Sequence, residues 1–205
     1  MGNRFYILSL NVFPKLFAFY HNFVSKILKL QTSEAAEMLK HNNENLFKEI
    51  EQWADLGCGS GTFTFALATL LQHESIIHAI DSNASLLKQI PSSYYSIKIE
   101  KEKIDFINEN IHLKNLDGIL MANSLHYVSY KKKFLTKSIE SLKENGCFLI
   151  VEYDTEIPVP TWVPYPINFS SLKELFMNAG YKNIIKLNER ASVYGPIMYS
   201  ALIER

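Results

Sequence analysis

The fold is decided by one stretch of sequence, Trp53-Ala54-Asp55-Leu56-Gly57-Cys58-Gly59-Ser60-Gly61-Thr62-Phe63-Thr64. Its apolar beginning predicts a buried strand, and its end predicts the first turn of a helix. Glycine stands at every second position of the turn between them, and glycine accepts backbone angles and close approaches that a Cβ forbids. A ligand can therefore lie against bare backbone beside the helix N-terminus, at the carboxyl edge of the strands.

Outward from this turn, strand-like and helix-like segments alternate along the chain. Predicted strands cover Gln52–Leu56, Ser75–Ile80, Tyr95–Ile99, Gly118–Met121 and Cys147–Tyr153. Predicted helices cover Thr62–Gln72, Ala84–Ile90, Lys131–Lys143 and Ser171–Ala179. Because strands that alternate with helices run parallel, we expect an α/β fold with a doubly wound, mostly parallel, seven-stranded sheet. Lys182–Leu187 and Ile197–Ile203 should add a C-terminal antiparallel hairpin, whereas Lys101–Leu116 is expected to be mostly loop.

The N-terminal part of the chain has helical periodicity. Apolar residues recur at helical spacing from Phe13 to Leu28, and a second helix follows. We expect one domain over residues 1–205, in which N-terminal helices within residues 1–45 lie over a core of residues 50–205. We interpret these helices as plain cover for the sheet of a monomer. The alternatives are a lid over the active site and a contact surface of a homodimer. No run reaches the roughly 18 apolar residues that a membrane span needs.

The overall composition is that of a globular protein. Of its 205 residues 47% are hydrophobic and 20% are charged, and the formal net charge is zero. Without a basic surplus, a nucleic-acid partner is not expected. Cys58 and Cys147 form neither a disulfide framework nor a metal-binding spacing, so a cytoplasmic location is expected. The six histidines show no ligand spacing either, and we therefore expect no metal site.

The acids around the glycine turn distinguish two classes of nucleotide ligand. The next predicted strand runs into Asp81, whose carboxylate can accept hydrogen bonds from both hydroxyls of a ribose. Nicotinamide enzymes carry G-x-G-x-x-G and direct the helix dipole at a pyrophosphate, whereas this turn reads G-x-G-x-G. Asp55, ahead of the turn, would repel a pyrophosphate but attract a ligand that carries an ammonium and a sulfonium. A nicotinamide-dependent reductase is therefore the minor alternative.

From about Thr32 onward the sequence resembles the class I, Rossmann-like, S-adenosylmethionine-dependent methyltransferases. The resemblance rests on the glycine turn, on Asp81, on the pair Asp105-Phe106, on Ala122–Tyr127 after the fourth strand and on Ala179–Tyr181. It implies S-adenosylmethionine as cofactor and S-adenosylhomocysteine as product, with the turn on the methionyl part, Asp81 on ribose and Asp105 on adenine. The cofactor site that we expect comprises Asp55, Gly57, Cys58, Gly59, Gly61, Asp81, Ser82, Asp105, Phe106, Ala122 and Asn123.

The same resemblance implies a small-molecule acceptor that is methylated at oxygen or nitrogen. Ala122–Tyr127 lacks the Pro-Pro-aromatic pattern of enzymes that methylate adenine or glutamine amides. His126 is either a general base or a side chain that packs beside the cofactor and orders the loop. After the fifth strand, Tyr153 and a proline-rich loop with Trp162 and Tyr165 are expected to line the acceptor pocket with His126.

Two further alternatives stay open from the sequence. One is a catalytically silent cofactor-binding or regulatory protein of the same fold, because methyl transfer requires no complete acid–base set that the sequence would reveal. The other is a protein or RNA methyltransferase, in which Phe5–Leu30 would act as a docking arm for the substrate.

Overall fold

A computed structural model describes residues 31–41, 46–192 and 197–205 of the chain. The strands are β1 (Gln52–Leu56), β2 (Ile76–Asp81), β3 (Ser93–Tyr94), β4 (Ile97–Lys103), β5 (Leu116–Ala122), β6 (Leu142–Tyr153), β7 (Asn183–Ala191) and β8 (Ile197–Glu204). The helices are α1 (residues 31–39), α2 (Thr62–Ala68), α3 (Ala84–Leu87), α4 (Lys131–Ile139) and α5 (Phe169–Asn178), with a 3₁₀ turn at Leu125–Tyr127. The predicted helix Phe13–Leu28 lies outside the described residues. None of the described helices has the length and apolar character needed to cross a bilayer.

The eight described strands form one sheet in the order β3-β4-β2-β1-β5-β6-β8-β7. β4, β2, β1, β5 and β6 run parallel, and β8 pairs antiparallel with both β6 and β7. The predicted doubly wound, mostly parallel sheet with a C-terminal antiparallel hairpin is thus confirmed. The sheet has eight strands rather than seven because the two-residue β3 pairs antiparallel with the start of β4. Tyr95, at φ 51°, makes the tight turn between them.

Helices cover both faces of the sheet because side chains alternate between the faces along each strand. On one face, α1 and α2 pack against Trp53 and Leu149; on the other, α4 and α5 pack against Phe148. α1 is held to the hairpin by the hydroxyl of Ser200, which donates a hydrogen bond to the carbonyl of Met38 at 2.5 Å. The described part of the N-terminal segment therefore lies on the sheet itself.

Several elements end at different residues from those predicted. β6 begins at Leu142 rather than Cys147, because Leu142 pairs with Leu116 ahead of a shift in register. α4 accordingly ends at Ile139 instead of Lys143. α2 and α3 are also shorter than predicted, since the amides that follow them include donors to carbonyls three residues back, which tightens the last turns. β4 extends through Lys103 into the segment that was expected to be mostly loop.

Candidate active site

The turns after β1 and β5 meet at the point where the sheet changes its winding direction. β1 lies between β2 and β5, so successive connections leave it toward opposite sides, and open α/β sheets bind ligands at such a switch point. The hydroxyl of Ser124 donates a hydrogen bond to the carbonyl of Leu56 at 2.6 Å and ties the two turns together. A Cβ on Gly57 would lie 2.6 Å from that of Ser124, so this close contact requires glycine.

The glycine turn is held by backbone hydrogen bonds and leaves one face of its backbone open. The amides of Gly57 and Cys58 both donate to the carbonyl of Ile80, at 2.8 and 3.0 Å. Gly61, at φ 95°, precedes α2. Gly59, at φ 57°, has no atom of a described residue other than itself and its two chain neighbours within 4 Å of the position that a Cβ would occupy. The side of Gly59 on which a Cβ would lie is therefore open to a ligand, apart from the neighbouring residues of the turn.

Asp55 presents a buried carboxylate with one oxygen available. Its side chain is 1% exposed, and its Oδ2 accepts a hydrogen bond from the hydroxyl of Thr64 at 2.6 Å. Its Oδ1 is buried and has no hydrogen-bond partner among the described residues. Burial raises the pKa of Asp55 to about 7, the negative charge of Asp81 adds to the increase, and the Thr64 hydrogen bond opposes it. A cationic group of a ligand would both satisfy Oδ1 and favour the ionised carboxylate.

Asp81 connects the end of β2 to the glycine turn. Its Oδ2 accepts a hydrogen bond from the amide of Gly59 at 2.9 Å, and its Oδ1 accepts one from the amide of Asn83 at 2.7 Å. Each carboxylate oxygen has more than one acceptor position, so these bonds leave capacity for ribose hydroxyls. The neighbouring Ser82 is exposed at the same edge. The acid predicted to bind ribose therefore lies directly against the predicted methionyl-binding turn.

Asp105 and Phe106 face different surroundings. Both carboxylate oxygens of Asp105 bond within its own loop: Oδ1 accepts from the amides of Ile107 and Asn108, and Oδ2 accepts from the side-chain amide of Asn108. Phe106 is buried, and its ring would lie 3.2 Å from a Cβ on Gly57. The structure thus brings the aromatic member of the pair to the glycine turn and uses the acid to shape the loop.

The segment after β5 turns sharply at Asn123. Asn123 has φ 53°, a left-handed conformation that is uncommon outside glycine but tolerated best by asparagine and aspartate. Its amide donates to the carbonyl of Val151 at 2.8 Å, which continues the pairing that joins Ala122 to the same residue of β6. Its side-chain Oδ1 is buried with no partner among the described residues. The site therefore contains a second buried acceptor without a hydrogen bond.

His126 forms a buried pair with Glu152, a residue that sequence reasoning missed. The two side chains are 2% and 1% exposed, and Nδ1 of His126 lies 2.7 Å from Oε2 of Glu152. The backbone amide of His126 donates to Oε1 of the same carboxylate at 3.1 Å. Nε2 of His126 is buried and has no partner among the described residues. The only available signal was an acid at the carboxyl end of a strand beside β5, and that signal does not name its partner.

An apolar cavity of about 330 Å³ adjoins the end of β6. It is lined by Tyr153, Thr155, Ile157, Val159, Thr161, Trp162 and Val163. Val159 and Val163 exchange backbone hydrogen bonds at 2.8 and 3.0 Å, so this part of the proline-rich loop is a small hairpin. Of the residues predicted for the acceptor pocket, Tyr153 and Trp162 line this cavity, whereas Tyr165 is not part of its lining.

Tyr165 instead fixes the loop to the 3₁₀ turn. Its amide donates to the carbonyl of His126 at 3.0 Å. Its own carbonyl accepts from the ammonium of Lys131 at 2.6 Å, and that ammonium also donates to the carbonyl of Val128. Burial lowers the pKa of Lys131, and the charge of Glu152 opposes this effect. Together these bonds hold the cavity loop beside His126.

Two kinds of reactive group, metal-ligand clusters and activated thiols, can be checked in the part of the chain that the structure describes. Residues 31–41, 46–192 and 197–205 contain no group of three or more His, Cys, Asp or Glu side chains suited to hold a metal ion. The two cysteines are buried and unpaired, and burial raises the pKa of both thiols, so neither is an activated thiolate.

Comparison with known proteins points to one family. A family model described as a methyltransferase domain matches residues 54–148. No curated protein matches the chain in sequence.

Solved structures share the fold at low sequence identity. A SAM-dependent methyltransferase from Leishmania major has a TM-score of 0.66 at 14% identity, over 86% of this chain and 73% of that one. One from Mesorhizobium loti has a TM-score of 0.62 at 13% identity, over 85% and 98% of the two chains. One from Aquifex aeolicus has a TM-score of 0.56 at 19% identity, over 87% and 97%. The segment that matches the methyltransferase-domain model contains the glycine turn itself, and the chain has the fold of these S-adenosylmethionine-dependent methyltransferases.

Proposed function

We propose that this chain is an S-adenosylmethionine-dependent methyltransferase that transfers the methyl group to an oxygen or nitrogen atom of a small molecule. The observation that carries the proposal is the apolar cavity of about 330 Å³ beside Tyr153, at the carboxyl edge of the parallel strands. Its volume is in the range of small-molecule sites, and aromatic walls with few polar groups are typical of such sites. A pocket of this size admits an organic molecule of modest size more readily than a segment of a polymer.

The residues of the glycine turn fit S-adenosylmethionine. The open backbone at Gly59 admits a ligand at close range, and Oδ1 of Asp55 is a buried acceptor suited to the ammonium of the methionyl part. Asp81 has acceptor capacity for ribose hydroxyls, and Phe106 offers an apolar surface for adenine. Bound there, S-adenosylmethionine supplies a methyl group activated by its positively charged sulfur.

The contribution of the protein is then chiefly to hold an acceptor atom in line with that methyl group and to exclude water. Tyr153 and Trp162 are assigned to the walls that hold the acceptor, since both line the cavity. Tyr165 is assigned to holding the loop, through its hydrogen bond to the carbonyl of His126. His126 is the side chain assigned to the acceptor proton, because its free ring nitrogen is buried close to Tyr153.

The proposal is tested by incubating the purified chain and S-adenosylmethionine with a panel of phenols, carboxylic acids, amines and thiols. Formation of S-adenosylhomocysteine and of a methylated product is followed by mass spectrometry, and Gly59→Ala serves as the variant with an obstructed turn. Turnover of at least one phenol, acid or amine, reduced in the variant, is the expected result.

Three outcomes would contradict it. Turnover of RNA or peptides alone would favour a polymer acceptor, and binding of S-adenosylhomocysteine without any turnover would favour a silent regulatory protein. Affinity for a nicotinamide dinucleotide in place of S-adenosylhomocysteine would favour a reductase.

A further inference from the structure

The pair formed by His126 and Glu152 has a geometry that a purely structural pair does not require. Both carboxylate oxygens of Glu152 contact His126. Oε1 accepts a hydrogen bond from the backbone amide of His126, and Oε2 lies 2.7 Å from Nδ1 of the imidazole ring. A carboxylate accepts hydrogen bonds, so Nδ1 of a neutral His126 carries the ring proton. Nε2 is then left with a lone pair rather than a proton.

That lone pair is buried without a partner. Nε2 of His126 has no hydrogen bond to any described residue, although the side chain is only 2% exposed. Leaving a buried polar atom unpaired costs about 1–3 kcal/mol. A ligand group that donates a hydrogen bond to Nε2 would remove this cost.

The position of His126 connects the two halves of the site. Ser124, two residues earlier, holds the turn after β5 to the carbonyl that precedes Gly57. The ring of His126 lies 6.2 Å from that of Tyr153, measured between centroids, and Tyr153 lines the apolar cavity. The imidazole therefore belongs to the segment that is tied to the cofactor turn, and its ring is a neighbour of a side chain in the cavity wall.

We propose that Glu152 is a positioning residue that holds His126 with Nε2 free, and that the acceptor is an apolar molecule attacking through a hydroxyl whose proton passes to Nε2. The inference rests on the proposed function and narrows its acceptor class. The acceptor oxygen forms a bond to the methyl carbon as its own O–H bond breaks, the proton going to Nε2. The electron pair of the broken sulfur–carbon bond stays on sulfur, which leaves as a neutral thioether, and the imidazolium later releases its proton to water.

A hydroxyl acceptor is favoured over an amine by what a base can contribute. A neutral hydroxyl is a weak nucleophile, and a positioned base typically accelerates its reaction by about 10²–10⁴-fold. A neutral amine attacks with its own lone pair and a carboxylate has no proton to lose, so neither needs a base at this point. The apolar lining of the cavity suits an acceptor with a phenolic or other apolar carbon skeleton. This lining includes Ile157, Val159, Trp162 and Val163.

The first test needs no acceptor. Long-range ¹H–¹⁵N NMR of the full chain with saturating S-adenosylhomocysteine reports which ring nitrogen of His126 carries the proton, and the signal is assigned by its loss in His126→Gln. The wild type is expected to hold the proton on Nδ1, and Glu152→Gln is expected to shift it wholly or partly to Nε2, because an amide NH₂ can donate to Nδ1. A proton on Nε2 in the wild type, or the same tautomer in both proteins, would overturn the proposal.

The second test is kinetic and uses a hydroxyl acceptor from the panel. Glu152→Gln is expected to lower kcat at least tenfold while changing the acceptor KM and the affinity for S-adenosylhomocysteine less than twofold; a loss of folding alone would lower affinity and melting temperature together. Glu74→Gln, the same change at an exposed turn, should match the wild type. An unchanged kcat in Glu152→Gln, or turnover of amines but of no hydroxyl compound, contradicts the inference. If no acceptor is methylated at all, the proposed function fails, and the tautomer measurement still decides the role of Glu152.

Discussion

The buried carboxylate of Asp55 makes the stability of the ligand-free protein depend on pH. Burial raises the pKa of Asp55 to about 7 in the folded chain, whereas an aspartate in the unfolded chain has a pKa of about 3.9. Between these two values the folded state binds a proton that the unfolded state has lost. The free energy of unfolding therefore contains a contribution that is complete below about pH 4 and is lost as the pH rises through about 7.

The size of the effect follows from the difference of about three pH units. At about 1.4 kcal/mol per unit, ionising Asp55 costs the folded state on the order of 4 kcal/mol. Asp55→Asn removes the titration and keeps an oxygen for the hydroxyl of Thr64, which donates to Oδ2 at 2.6 Å. The variant should therefore lose the part of the pH dependence that belongs to Asp55.

Urea denaturation of the ligand-free protein at pH 5, 6, 7 and 8 measures this directly. From pH 5 to 8 the unfolding free energy of the wild type should fall by more than that of Asp55→Asn, by roughly 2–3 kcal/mol, because this window covers about two of the three pH units. Glu49→Gln, which removes an exposed carboxylate, is the matched control and should follow the wild type. Parallel pH curves for Asp55→Asn and the wild type would refute the reasoning.

Three further predictions concern the two halves of the site. Gly57→Ala should lower the unfolding free energy by about 2–5 kcal/mol in urea denaturation, because the cost of a left-handed alanine adds to that of a clash with Ser124. Gly59→Ala should instead weaken S-adenosylhomocysteine binding at least tenfold in calorimetry. Equal behaviour of the two variants in both assays would contradict this contrast. Ser124→Ala leaves the carbonyl of Leu56 without its 2.6 Å hydrogen bond, so the unfolding free energy in the same assay should fall by about 1–3 kcal/mol. A decrease of less than about 0.5 kcal/mol would contradict this prediction. Trp162→Ala should raise the acceptor KM several-fold with no change in S-adenosylhomocysteine affinity, and a loss of that affinity would move Trp162 out of the acceptor wall.

The features that the sequence predicts well are local ones. The alternate glycines at 57, 59 and 61 indicate a tight turn through backbone conformation alone, and all three have the positive φ angles that this pattern predicts. The position of Asp81 at the carboxyl edge of the sheet is predictable because the strand that it ends is clearly apolar. Parallel pairing follows from the alternation of strands and helices, and it brings those strand ends to one edge of the sheet.

The features that the sequence does not predict depend on distant partners. Glu152 reads as an ordinary acid in a strand, and nothing near it in the chain indicates that it pairs with His126, 26 residues away. β3 is two residues long and carries no detectable periodicity. Asp105 fits the expected acid–aromatic pattern, but only the folded loop reveals that its oxygens bond to neighbouring amides. Tyr165 lies in the expected aromatic loop, but its position is determined by the hydrogen bond from its backbone amide to the carbonyl of His126 and not by contact with the cavity.

The central claim is that the glycine turn binds S-adenosylmethionine with its reactive end toward His126 and the cavity beside Tyr153. A crystal structure with S-adenosylhomocysteine tests it most directly. We expect the ribose hydroxyls within hydrogen-bonding distance of Asp81, the amino group near Oδ1 of Asp55, and the sulfur open to Nε2 of His126 and to the cavity. A ligand whose ribose lies away from Asp81, or whose sulfur faces the surface of the sheet opposite His126, would contradict the account.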